Sequence, residues 1–424
     1  MQHTIPVPTL VEKIGPRVNG MVGAIEACVH CGFCLPTCPT YQVLNEEMDS
    51  PRGRIILMKA VLEGDLEYQD VKPFIDQCLG CLACMTACPS GVQYNELVSP
   101  FRALVNEETK SGFVENLQHK FIINTLPYPE RFRTLIKTGR ISKAIKPIVP
   151  NEYKDLLDLI PDSLTESDPI PEIVPVTGVP RGRVGLLLGC VNKVLGQRIN
   201  WSTIRVLNRN GVEVIIPKDQ VCCGALSLHV GEFEQAQNFA RRNMQAFPDN
   251  LDAIISNAAG CGSAMKEYQM LFSGMEEERE AADFVRKVMD VSEYLCQIEL
   301  EPFPEVSHSY RIAYQDACHL SHAQKVNQAP RDLISQIPNI LLIEINEPEI
   351  CCGSAGIYNI EHPAIAYQLG EKKINNIVTT NADIVVTGNI GCCVQIQTHF
   401  RDRAHNIPVY HTLELLDKAY AGNL

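Results

Sequence analysis

Eight cysteines near the start of the chain stand at a spacing suited to thiolate chemistry. Cys28, Cys31, Cys34 and Cys38 read C-x2-C-x2-C-x3-C with Pro39 next, and Cys78, Cys81, Cys84 and Cys88 repeat the pattern fifty residues later with Pro89 next. Three cysteines separated by two residues wrap one corner of an iron–sulfur cubane, and the fourth, beyond a proline turn, reaches the neighbouring cluster. The spacing therefore predicts two 4Fe-4S clusters, one on Cys28, Cys31, Cys34 and Cys88, the other on Cys78, Cys81, Cys84 and Cys38. Four thiolates around such a core leave about two negative charges, and backbone N–H donors offset the cost of burying them. Gly32 and Gly80 lie inside the two ligand loops, where the chain must turn tightly. Zinc is the competing reading, but it usually takes cysteine pairs from two knuckles, which three evenly spaced cysteines followed by Cys-Pro fit poorly.

Eight further cysteines fall into two matched sets. Cys190, Cys222-Cys223-Gly224 and Cys261 are followed, at offsets of 128, 129, 129 and 131 residues, by Cys318, Cys351-Cys352-Gly353 and Cys392. From residue 181 onward the chain is thus an internal duplication, each copy long enough to be a domain. Cys296 and Cys393 stand outside the repeat and are read as bystanders. With no export signal and cysteines bunched at short spacing, metal binding is expected rather than disulfides.

The elements that must hold these residues are also legible. Between the first two motifs, Ser50 reads as a helix cap and Pro51 as the first helical position, with Ile55, Met58 and Leu62 on one face. Arg52 and Arg54 fall in that first turn, either facing solvent or offsetting cluster charge. In the repeats, short apolar runs alternate with helical stretches: Val184 to Leu188, Val212 to Ile216 and Ala253 to Ser256 in copy one, Ile312 to Gln315, Ile340 to Ile345 and Ile384 to Thr387 in copy two. Phe233, Ala236, Ala240, Met244 and Phe247 recur at helical intervals between them. Such alternation implies a parallel sheet covered by helices, with ligands gathered beyond the carboxyl ends of the strands. Every cysteine of the repeat falls just past a predicted strand end.

The fold class predicted is therefore α+β and multi-domain: a helical two-cluster ferredoxin-like domain over 1–115, a basic helical segment and proline-rich linker over 116–180, and two α/β parallel-sheet cysteine-rich domains over 181–303 and 304–424. The linker reading rests on seven prolines between residues 147 and 180. Before them, residues 116–146 carry Lys120, Arg131, Arg133, Lys137, Arg140, Lys143 and Lys146 against the single acid Glu130, with Phe132, Leu135, Ile136, Ile141 and Ile145 interleaved. That pattern suits an acidic partner, an anionic membrane surface, or a solvated helical face.

Bulk properties narrow the function classes. A formal charge of −13 and a pI near 5.4 argue against nucleic acid as a partner. Without an apolar run approaching the ~18–20 residues needed to cross a bilayer, and with a polar start, the chain is expected in the cytoplasm. No glycine-rich strand-to-helix fingerprint for a dinucleotide is found, so a hydride-accepting cofactor would sit on another chain.

Two C-x2-C-x2-C-x3-C-P motifs followed by two Cys-Cys-Gly domains resemble the iron–sulfur subunit of glycolate oxidase (glycolate dehydrogenase) over essentially the whole chain. Cys28-Val-His-Cys-Gly-Phe-Cys-Leu-Pro-Thr-Cys-Pro-Thr-Tyr and Ser50-Pro-Arg-Gly-Arg-Ile carry the detail. The broader group includes iron–sulfur subunits of lactate-utilisation and anaerobic glycerol-3-phosphate dehydrogenases and the catalytic subunit of heterodisulfide reductase. The resemblance implies that FAD-bearing partner subunits oxidise glycolate to glyoxylate while this chain passes electrons toward a membrane quinone, with peripheral contact at the inner face of the cell membrane. It also implies a thiol–disulfide oxidoreductase of the heterodisulfide reductase kind as the alternative. One departure bears on that alternative: the closing C-x-x-C of heterodisulfide reductase-like domains is here Ala258 before Cys261 and Asn389 before Cys392. Each copy keeps four matching cysteines, for which a four-cysteine iron–sulfur cluster, a zinc ion and a redox-active thiol pair all stay open. His319 and His322, beside Cys318, read either as ligands or proton carriers or as hydrogen-bonded spectators.

Overall fold

A computed structural model describes residues 2–109, 112–142, 160, 168–403 and 406–424. Lys143, Ile145, Lys146 and three of the linker prolines, Pro147, Pro150 and Pro161, lie outside the described residues.

The amino-terminal part is helical. Val18–Ala27, Pro51–Glu63, Tyr68–Asp76 and Tyr94–Glu108 pack around Met21, Ile25, Met58, Ile75, Leu97 and Phe101, all fully buried. Ser50 caps Pro51–Glu63 as expected, its hydroxyl accepting from Gly53 N at 3.0 Å, and Ile55, Met58 and Leu62 face the core. Gly64, in left-handed backbone, ends the helix.

Beyond it stand two sheets of one design. Strands β1 Ile173–Val174, β2 Gly182–Leu187, β3 Val212–Ile215, β4 Ala253–Ser256 and β5 Val288–Asp290 form the first, in the order β1-β3-β2-β4-β5. Strands β6 Tyr310–Gln315, β7 Ile340–Glu344, β8 Ile384–Thr387 and β9 Val409–His411 form the second, in the order β7-β6-β8-β9. Every pairing is parallel except β1 on β3. The proline-rich stretch read as linker thus also donates an antiparallel strand to a sheet edge, the one place where neighbouring prolines are tolerated.

Strand alternation divides the interior. Val184, Leu186, Val214 and Ile255 of the first sheet share one core with Ile312, Tyr314, Ile384 and Val386 of the second, whereas Leu187, Ile215 and Ile254 on the opposite face pack on Phe233–Ala246. Helices of the two repeats interleave in the shared core. Gln197–Arg209 of the first packs on Thr412–Tyr420 of the second, and Val291–Leu295 of the first on Gln328–Ser335 of the second. Each repeat therefore gives an opening and a closing helix to the other, the pattern of an isologous two-fold contact within one chain. Phe303 stacks on Tyr420 at 4.1 Å and Arg205 pairs with Asp417 across this seam.

Candidate iron–sulfur and thiol centres

The two amino-terminal loops differ from their simplest reading in backbone detail. Each turns through left-handed conformation at two equivalent positions: His30 and Gly32 in the first (φ 57 and 84), Gly80 and Leu82 in the second (φ 66 and 63). A glycine thus takes one of the two turns in each loop, but not the same one, and His30 and Leu82 accept the other. Backbone N–H groups are swung toward sulfur by these turns, as Gly80 N shows at 3.4 Å from Cys78 Sγ.

Cys28, Cys31, Cys34 and Cys88 line one cleft, together with Cys84 and Tyr94. Cys38, Cys78 and Cys81 lie with Cys84 within electrostatic reach of one another, and Cys84, which also reaches Cys34, stands between the two sets. Cys88 thus lines the cleft of the first loop, and Cys38 lies within electrostatic reach of Cys81 and Cys84 of the second loop as well as of Cys34 in its own. The cleft of the first set opens outward, with Cys31 exposed and Val29 and Phe33 standing 65% and 66% exposed beside it. Partial burial still lifts Cys34 to about 11. The second set is more enclosed, with Cys38 and Cys81 buried and Cys78 and Cys84 partly so, and burial pushes Cys81 and Cys84 well above the ordinary thiol value. Burial works the same way on Cys78, but Arg54 and Arg102 outweigh it and hold that thiol below its usual range. Tyr94, lining the first cleft, reaches Cys78 Sγ with its hydroxyl at 3.8 Å and so touches both sets.

In the repeats each cysteine sits past a strand end, as the pattern predicts: Cys190 after β2, Cys222 and Cys223 after β3, Cys261 after β4, and Cys318, Cys351, Cys352 and Cys392 likewise. In copy one the sulfurs touch in sequence, Cys190 to Cys222 at 3.5 Å, then Cys223 and Cys261. Bonds from Cys222 and Cys261 bring Cys223 well below its ordinary value. In copy two, Cys318, Cys351, Cys352 and Cys392 meet in the same order, and all four thiols are pushed up. Gly224 N and Gly353 N each lie 3.4 Å from the first sulfur of their Cys-Cys pair. Asn389, the departure noted above, donates to Cys392 Sγ at 3.5 Å, whereas Ala258 offers Cys261 no such donor. Among the described residues no three His, Cys, Asp or Glu side chains close around a single ion-sized point.

The three regions meet. Leu79, Cys81 and Ala83 share an apolar cluster with Ile350, Cys351 and Tyr358, so the second amino-terminal loop abuts the thiols of copy two. His319 Nε2 lies 2.9 Å from Gly80 O and its ring stacks on His229 at 4.9 Å, while His322 Nδ1 lies 2.7 Å from Thr86 Oγ1. Both histidines are thus hydrogen-bonded at this junction. The basic helix Pro129–Ser142 buries Phe132 and Ile136 against Val194, and Arg133 donates to Lys193 O, so this stretch roofs the Cys190 loop rather than offering its apolar side outward.

Sequence reasoning left Arg54 open between solvent and cluster charge and passed over Lys373; both are buried. Arg54 is 1% exposed and Lys373 fully buried. Burial lowers Lys373 to about 8, against the pull of Cys352 and Cys351. The signal for Arg54 was present: it lies one helical turn before Met58 on the stripe whose other members are apolar. The donor sets suit anionic clusters, because fixed cations and inward N–H groups beside the gathered cysteines oppose the effect of burial and favour the ionised, metal-bound form of the thiols.

Comparison with known proteins agrees. The 4Fe-4S dicluster domain family matches residues 24–92, and the cysteine-rich domain family matches residues 184–266 and 312–397. A solved structure of a hypothetical protein from Helicobacter pylori superposes over 98% of this chain and 76% of its own, with a TM-score of 0.57 at 10% identity, which speaks to the fold alone. The probable glycolate oxidase iron-sulfur subunit of Bacillus subtilis is 34% identical over 88% of this chain and 89% of its own. The glycolate oxidase iron-sulfur subunit of Escherichia coli is 34% identical over 93% of this chain and 94% of its own. A likeness sustained across both cluster loops and both repeats makes this chain a member of the family of glycolate oxidase iron–sulfur subunits.

Proposed function

We propose that this chain is the electron-transfer subunit of a flavin-dependent complex that oxidises glycolate to glyoxylate, holding two 4Fe-4S clusters and passing electrons toward a quinone-type acceptor. Cys28, Cys31, Cys34 and Cys88 would ligate the outer cluster, and Cys78, Cys81, Cys84 and Cys38 the inner one. Each cluster, when bound, supplies a one-electron carrier whose potential the protein sets. The observation that carries the reading is the continuity of thiols, from the open cleft at Cys31, through the buried loop at Cys81, to Cys351 of copy two. The chain's own residues bind, insulate and offset charge. The exposed Val29 and Phe33 beside the cleft suit docking of the FAD-bearing partner. The four-cysteine sets of the repeats would hold a further metal centre in at least one copy. Peripheral contact with an anionic membrane is supported by Leu117 and Phe121, 60% and 55% exposed one helical turn apart, with Lys120 between them.

Anaerobically purified alone, the chain should be brown, contain iron and acid-labile sulfide, give a paramagnetic signal after dithionite and leave glycolate untouched. Mixed with the flavoprotein subunits, it should support reduction of a quinone analogue. Turnover of glycolate by the isolated chain, or zinc without sulfide, would overturn the reading.

A further inference from the structure

Pro51-Arg52-Gly53-Arg54 sends two arginines in opposite directions. Arg52 stays partly in solvent and pairs with Glu47 at 2.7 Å, so its charge is largely spent there. Arg54 goes inward, where its Nε donates to Phe74 O at 2.7 Å, one terminal nitrogen to Thr40 Oγ1 at 3.1 Å and the other to Asp49 Oδ1 at 3.2 Å. The nitrogen on Thr40 also lies 3.9 Å from Cys38 Sγ, and the guanidinium charge acts on Cys78. Gly53 makes this placement possible, because a Cβ there would stand 2.0 Å from Glu47 O; only glycine lets the first helical turn press on the turn that carries Asp49. Asp49, itself 4% exposed, offsets part of the charge.

We infer that Arg54 is a positioning residue for the inner centre, a fixed cation that raises its reduction potential and makes it the stronger electron acceptor of the pair. The inference rests on the proposal that Cys38, Cys78, Cys81 and Cys84 hold a cluster. Reduction adds one electron, with no bond made or broken, and takes the centre and its four thiolates from about −2 to about −3. In a low-dielectric interior that added charge is costly, and a buried cation beside two ligand sulfurs lowers the cost far more than a solvated one. Burial alone would drive the inner potential down. Arg54 opposes burial at that centre, whereas the charge of Arg52, beside the outer cleft, is screened by solvent and Glu47.

The test is a redox titration of the full-length, anaerobically purified protein at pH 8, followed by paramagnetic resonance. Arg54→Gln should make one of the two centres at least tenfold harder to reduce, about 59 mV for a one-electron couple, while the other moves much less. Arg54→Lys should restore most of the shift, which a purely structural role for Phe74 O and Thr40 would not produce. Asp49→Asn should move the same centre the opposite way, and it decides the question if Arg54→Gln fails to hold iron. Unchanged midpoints with full iron and sulfide, equal shifts in Arg54→Gln and Arg54→Lys, or a fall or no change in Asp49→Asn would overturn the inference. Wild-type protein lacking sulfide would instead overturn the cluster assignment on which it rests.

Discussion

The two Cys-Cys-Gly repeats share their sheet order and strand-end cysteines, and differ in what closes over the thiols. In copy one the cysteine loop is roofed by the basic helix Pro129–Ser142, and the cation beside it, Lys193, stays half-buried, its pKa lowered mainly by burial. In copy two the thiols press against the Cys81 loop, and the cation behind them, Lys373, is sealed from solvent and held by Glu347 O and Pro348 O at 2.9 and 3.1 Å. The fold placed the sulfurs alike, but their chemistry is set by neighbours that the duplication did not copy. Tightness follows the same division: Gly224 and Gly353 share left-handed backbone (φ 84 and 89), yet an added Cβ would meet Ala236 at 3.4 Å in one copy and Ala366 O at 2.4 Å in the other.

The largest test of this asymmetry is that pair of glycines. Gly224→Ala should cost about 1–2 kcal/mol, the strain of a side chain in left-handed backbone. Gly353→Ala bears the same strain and must also push back the helix Pro363–Val378, adding about 1–3 kcal/mol. Denaturant unfolding of the two variants measures the gap; equal losses would mean that the repeats are packed alike.

Next in size is a difference in acid response. The last strand of each sheet ends on the cap of the following helix, Asp290 in one copy and His411 in the other, each within a capping box. Burial raises Asp290 from 3.8 to about 6 and lowers His411 from 6.5 to about 4. The folded state holds fewer protons than the unfolded one at His411, so that residue's contribution is intact above pH 6.5 and is lost as pH falls toward 4, by about 3 kcal/mol. Asp290 has the opposite sign, taking up its proton more readily in the folded state and weakening stability as pH rises from about 4 to 6. His411→Asn should therefore flatten the loss of stability between pH 6.5 and 4, and Asp290→Asn should steepen it. Parallel pH–melting curves for both variants would contradict this assignment.

The smallest effect concerns the seam between copy two and the second cluster loop. Tyr358 donates its hydroxyl to Gln77 O at 3.0 Å. Tyr358→Phe should cost about 1 kcal/mol in thermal unfolding, and no measurable loss would mean that the seam relies on its apolar contacts.

Much of this could be read in advance because cysteine spacing, cap residues and apolar alternation are local signals. Ser50-Pro51 announced a helix start, and Val184, Val214 and Ile384 announced buried strands. What stayed hidden depends on contacts distant in sequence. Val288–Asp290 and Val409–His411, of three residues each, are too short to show a period and become strands only by pairing with β4 and β8. For Phe132 and Ile136 the sequence left a partner, a membrane and a solvated helical face all open, and Val194 covers them within the chain. For Arg54 the sequence left solvent and cluster charge equally open, and only the fold, closing over it as it does over Lys373, decides for the interior.

The exchange of opening and closing helices between the repeats has a consequence for handling the protein. A single repeat cut from the chain would carry Ile204, Leu207 and Leu295 uncovered, a surface shaped for another copy of itself. The present arrangement has the geometry of a homodimer whose halves are joined end to end, each half with its own neighbours around its sulfurs. Truncation between the repeats should therefore yield self-associating or insoluble pieces, not two independent modules.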